Sequence, residues 1–230
     1  MVSLVTSALL LLVPAGVWVL AATAVLTEYA ERRARIDVRA MRPTRGKVVL
    51  YVAVTLPPIL YGLIFWFLLV GIENEFGPVS GAAERLVSSL AVGFAVTVCI
   101  TLAAQASIAR ARLGEMVGPA FGRVLPLIVA PATGQVFALV LAFLLIGNIA
   151  SIVSGSLSSR PELVDAIATG FLIFGASNLG YLGGAVASNR VSNLLSPRGF
   201  SQALSRLVVG ELPVVLGLLY AFLQLSPILG

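Results

Sequence analysis

Residues 207–227 read LVVGELPVVLGLLYAFLQLSP, an apolar run with a single carboxylate, Glu211, set inside it. A run of that length matches the roughly 20 residues a helix needs to cross the hydrocarbon of a bilayer. Five runs of the same character precede it, at about 4–27, 48–72, 87–109, 124–149 and 163–187. Composition agrees: of 230 residues, 59% are hydrophobic and 11% charged, with a mean hydropathy of +1.03. An ordinary soluble domain carries about 25% charged residues. This chain lacks the polar surface that a soluble enzyme, a nucleic-acid-binding module or a disordered protein would need. The expected fold is an all-α, multi-pass membrane protein with six transmembrane helices, placed in the cell membrane.

The charges sort by loop. Arg32, Arg33, Arg35, Arg39, Arg42, Arg45 and Lys47 follow the first run; Arg110, Arg112 and Arg123 follow the third; Arg190, Arg198 and Arg206 follow the fifth. That is 13 of the 15 basic residues, while Arg85 and Arg160 share the other two loops with Glu73, Glu75, Glu84, Glu162 and Asp165. By the positive-inside rule the three basic loops are cytoplasmic and both termini lie outside. No Lys or Arg precedes the first run, so it is expected to be a retained span rather than a secretory leader. The net charge of +5 is topological, and no nucleic-acid partner is expected.

The even-numbered spans repeat one another. TLPPILYGLIFWFLLVGI from Thr55, PATGQVFALVLAFLLIGNI from Pro131 and GELPVVLGLLYAFLQLSPI from Gly210 stack without gaps. Leu56, Ala132 and Glu211 share a column; Gly62, Ala138 and Gly217 follow six residues on, and Phe67, Phe143 and Phe222 eleven residues on. Pro43, Pro119 and Pro197 precede the first column at nearly constant distance, and Gly16, Gly93-Phe94 and Gly170-Phe171 align the odd spans loosely. A period near 77 residues predicts three tandem helical hairpins, 1–76, 77–153 and 154–230.

Glu211 is the only acidic residue well inside a span. Insertion of a carboxylate into hydrocarbon costs roughly 2.5–3.5 kcal/mol or more, so such a residue is rarely kept without a role. A carboxyl that is neutral against lipid and ionised against a polar partner is a one-proton carrier. The chain has no histidine, and Cys99 is its single cysteine, which removes the Ser-His-Asp type of hydrolase, a thiolate metal site and an internal disulfide. No cofactor, metal or catalytic residue is expected.

The run Gly210-Glu211, Gly217, Ala221-Phe222-Leu223 resembles the ion-binding helix of the rotor-ring proteolipids, the c or K subunits of V-type and archaeal A-type rotary ATPases. That helix typically reads like L-P-E-T-Q-A-I-Y-G-L-L-V-A-F-L. Span four is similar at Pro131, Thr133, Leu139, Ala142, Phe143 and Leu144, with Ala132 in place of the Glu; span two is similar at Tyr61, Gly62 and Leu63, with Leu56 there. The resemblance implies a homo-oligomeric ring with odd spans inside and even spans outside. It also implies reversible protonation of Glu211, a stator membrane subunit presenting an Arg, a central stalk at the cytoplasmic loops, and a lipid-facing rim. Ion transport would be coupled to ATP synthesis or hydrolysis elsewhere in the complex, with no catalysis in this chain. Na⁺-selecting relatives add oxygen ligands. Thr133 matches their Thr, Gly134 stands at their Gln with Gln135 beside it, and the inner-helix Gln position falls on Leu182. The translocated ion implied is therefore H⁺ rather than Na⁺.

Four residues form a possible secondary site or network: Thr133, Gln135, Gln105 and Glu28. Glu28 reads either as a second ion-site carboxylate or as the end of a helix beside Arg32. Gln105, Ser177 and Asn178 reach toward the site or join helices. The small residues of span five suit close packing around a ring axis or within any bundle. Segment 32–47 reads as a lipid-contacting loop or part of a stalk-docking surface. Trp18, Trp66 and the tyrosines read as packing or interfacial anchors. Two other functions stay open: an independent six-span ion-coupled transporter or channel using Glu211, and a structural membrane subunit.

Overall fold

The computed structural model describes residues 3–35, 45–77, 81–115, 121–148, 160–194 and 196–229. These residues are helical, with no strand among them. Six stretches are long and apolar enough to cross a membrane: Leu4–Glu31, Arg45–Glu75, Ala82–Ala111, Phe121–Gly147, Pro161–Asn189 and Pro197–Pro227. These are spans one to six; five of them contain the run expected from sequence, and the fourth overlaps its run up to Gly147. The chain is thus a multi-pass membrane protein by length and composition. Arg39, Arg42, Pro43, Pro119 and the expected boundary at 153 lie outside the described residues.

Prolines interrupt the even spans at matching places. Span two breaks at Leu56, between Arg45–Thr55 and Pro57–Phe76. Span four breaks at Ala130 and Pro131, between Phe121–Val129 and Ala132–Gly147. Span six runs unbroken from Pro197 to Leu229 but carries Pro213 two residues after Glu211. Proline has no N–H to give and crowds the carbonyl four residues back, so each site loses a helical bond. Side chains add bonds beside these breaks: Thr55 Oγ1 donates to Val52 O at 3.1 Å, and Thr133 Oγ1 to Ala130 O at 2.7 Å. These disruptions fall within two residues of the Leu56, Ala132 and Glu211 column.

Span three is the centre of the bundle. In its most apolar stretch 67% of residues are buried, against 22% in spans one and six. It packs on span one, span five and span four; span one packs on span two, span five on span six, and span four lies against both two and six. Lipid tails are as apolar as leucine, so these contacts rest on close van der Waals fit rather than on expulsion of water. Glycines supply the fit. A side chain at Gly93 would strike the Phe171 backbone, and one at Gly175 would strike the Gly93 backbone. Gly180 and Gly210 face each other backbone to backbone, and Gly62 lies on the carbonyl of Leu10. Aromatic and polar contacts complete the seams: Phe65 meets Phe94 edge-on at 5.1 Å, and Trp18 Nε1 donates to Thr55 Oγ1 at 3.0 Å.

Three loop-side arginines close the end of span five. Arg112, 4% exposed, donates through Nη2 to Ser188 O at 2.8 Å and Val191 O at 2.7 Å, and pairs through Nη1 with Glu115 at 3.0 Å. Arg123 donates to Leu194 O and Arg206 to Ala187 O, both at 2.9 Å. The last carbonyls of a helix have no partner within it and carry partial negative charge, which a guanidinium fork matches. Replacing Arg112 by Met strands those carbonyls and should cost about 2–4 kcal/mol. Thermal unfolding in detergent should show that loss, while Arg85→Ala, an exposed change in the first turn of span three, should stay within about 0.5 kcal/mol of wild type.

Candidate functional site

The site is built where spans five and six touch most closely. Because Gly180 and Gly210 carry no side chain, the two backbones meet there. Their next residues, Tyr181 and Glu211, then come into bonding range: Tyr181 Oη donates to Glu211 Oε1 at 2.9 Å. Tyr181 is fully buried and Glu211 only partly so. Thr133, on span four, gives its hydroxyl hydrogen to Ala130 O of its own span. Two spans therefore meet at one carboxyl. Around it span six turns Val208, Val209, Leu212, Val215 and Leu216 outward, all exposed. Glu211 thus sits at the seam between a polar internal contact and an apolar outer face.

The chemistry available is that of a carboxyl with a fixed partner. A phenol hydroxyl can donate to a carboxylate or to the carbonyl oxygen of a protonated carboxyl, so the bond survives both states. A hydrogen bond to a charged group contributes about 1.5–3 kcal/mol. That offsets much of the cost of holding a carboxylate in hydrocarbon.

The sequence-derived residues separate. Glu211 accepts from Tyr181, and Thr133 Oγ1 donates to Ala130 O of its own span. Gln135 points elsewhere: its Nε2 donates to Thr101 Oγ1 of span three at 2.6 Å. Gln105 is fully buried on span three, and neither amide atom has a partner among the described residues. Glu28 accepts from Arg110 Nη2 at 3.4 Å, beside an open cavity lined by Ala24, Ser107 and Asn189. That pairing ties it to the arginine-rich end of span three, and its own helix continues to Arg35.

Leu182, which the resemblance aligns with the inner-helix Gln of Na⁺-selecting relatives, supplies no polar group and packs against the core. The partner of Glu211 is Tyr181, one residue earlier. Its signal was present as a lone tyrosine beside Gly180, but tyrosines in apolar runs read first as packing anchors. Among the described residues no group of three or more His, Cys, Asp and Glu side chains is placed to hold a metal. No family model, curated protein or solved structure matches the chain.

The Tyr181–Glu211 contact can be weighed by a double-substitution cycle. Tyr181→Phe alone should lower stability in detergent by about 1–2 kcal/mol. Combined with Glu211→Leu, the two changes should be non-additive by about 1 kcal/mol, read from paired thermal or denaturant unfolding. Additive costs would mean the two side chains stand apart.

Proposed function

We propose that this chain is the proteolipid rotor subunit of a V- or A-type rotary ATPase or ATP synthase, carrying protons by reversible protonation of Glu211. The observation that carries the reading is the lone intramembrane carboxyl of span six, held by Tyr181 at the edge of an exposed apolar face. An ion that boards and leaves at a lipid-facing rim needs a carboxyl on the outward helix, steadied from within.

The packing supports the same reading. Spans one, three and five form one row and spans two, four and six a second, with each odd span against the even span that follows it. This suits three hairpins standing side by side as a segment of a ring wall. Equivalent columns also do equivalent work. Gly62 lies against span one and Gly217 against Phe174 and Ser177 of span five, while Ala138 helps line a small cavity with residues of spans three and five. In this account several copies close into a ring, since heterologous contacts that close make rings. A stator Arg meets Glu211, the basic loops face a central stalk in the cytoplasm, and both termini lie outside.

A second reading draws on the broken helices. Interruptions at Leu56, at Ala130–Pro131 and at Asn178 suit an independent ion-coupled transporter, in which discontinuous helices form the substrate site. Size separates the two. Native mass measurement of the detergent-extracted protein should give one large closed oligomer, and a monomer or dimer would favour the transporter. Glu211→Gln should leave that oligomer intact yet abolish ATP-driven acidification of membrane vesicles containing the assembled complex. Full acidification by that variant would remove the proton-carrier role.

A further inference from the structure

A second polar group lies inside the bundle, in the seam between spans three, four and five. Thr97, Thr101, Gln135 and Asn178 are all fully buried, and Gln105 lies one turn beyond Thr101 on the same face of span three. Five polar side chains buried in a membrane bundle are costly unless each polar atom is paired.

The hydrogen bonds run in one direction. Thr97 gives its hydroxyl hydrogen to Gly93 O at 2.9 Å, and Thr101 gives its own to Thr97 O at 2.8 Å. Both hydroxyl oxygens are left as acceptors. Gln135 Nε2 donates to Thr101 Oγ1 at 2.6 Å, and Asn178 Nδ2 donates to Thr97 Oγ1 at 3.3 Å and Phe174 O at 2.9 Å. The amide nitrogens of Gln135 and Asn178 are thereby engaged. Their oxygens, Gln135 Oε1 and Asn178 Oδ1, remain without a partner among the described residues, while Gln105 has both its Nε2 and its Oε1 without one. Gly134 makes the room: a side chain there would collide with Asn178 Oδ1 and crowd the methyl of Thr101. In addition, the helix Pro161–Ser177 ends at Asn178, so its partially negative end lies beside the cluster.

We propose that this cluster binds a small alkali cation, with Na⁺ as the fitting ion, at a site separate from Glu211. Hard cations take neutral oxygens readily, and carbonyl dipoles can replace a hydration shell without a counter-charge. Thr97 Oγ1, Thr101 Oγ1, Gln135 Oε1 and Asn178 Oδ1 are hard donors at the place where span five breaks, the kind of setting in which membrane proteins coordinate Na⁺. The site locks spans three, four and five together, whichever ion Glu211 carries.

The test uses the full chain in detergent, with NaCl exchanged for choline chloride at constant ionic strength. Ligand linkage predicts a saturable rise in melting temperature with Na⁺. Equilibrium dialysis with radioactive sodium should find one ion retained per chain, in the wild type and equally in Glu211→Gln. Gln135→Leu and Asn178→Leu should each raise the half-saturating Na⁺ concentration by at least about tenfold, the effect of losing one well-placed polar partner. Thr101→Val is the milder variant should either of those fail to fold, and it should weaken retention in the same direction. Equal melting in sodium and choline, with no ion retained, would mean that the cluster holds only water and would overturn the proposal. Retention that vanishes in Glu211→Gln but survives the cluster substitutions would overturn it too, by placing the ion on the carboxylate.

Discussion

A close approach of two backbones, Gly180 against Gly210, sets the geometry on which the candidate site depends. Without it the Tyr181 hydroxyl could not reach Glu211 from the neighbouring helix. In a bilayer no water stands ready to serve an orphaned carboxyl, so a partner must come from another helix. Small residues permit that contact, and a fully buried tyrosine supplies it. The same logic recurs where Gly93 meets span five and where Gly134 admits Asn178.

The interior is divided by chemistry. Near Glu211, one carboxyl meets one hydroxyl at a face open to lipid. Between spans three, four and five, neutral hydroxyls and amides face one another out of contact with the surroundings. At the arginine-rich end, Arg112 and Arg206 donate to Ser188 O and Ala187 O in the last turn of span five, and Arg112 and Arg123 reach Val191 O and Leu194 O in the segment that follows it. Positive charge that reads as topology in sequence also ties the end of span five to its neighbours.

The spans were legible in the sequence because a bilayer imposes a length, and runs of about 20 apolar residues have few other uses. Glu211 was legible because a lone acid in such a run is costly. The proline breaks were foreshadowed by the repeat, since Pro57, Pro131 and Pro213 fall beside its shared column. Side-chain direction was less legible. Thr133 and Gln135 are two residues apart, about 200° around a helix, so they cannot serve one partner. Thr133 turns back to Ala130 O and Gln135 goes to Thr101. Tyr181 was missed because counting along one helix does not reveal which residue a glycine contact turns inward. Glu28 illustrates the converse: a carboxylate four residues from Arg32 in sequence meets Arg110, on another span.

The central claim is that Glu211 is the exchangeable carboxyl of this membrane bundle. Carbodiimides react with protonated carboxyls in apolar surroundings, so labelling of the detergent-solubilised protein, read by intact and peptide mass, addresses that claim directly. The account predicts one adduct per chain, on Glu211. An unmodified Glu211, with the label on Glu28 or on an acid of the loops, would contradict it.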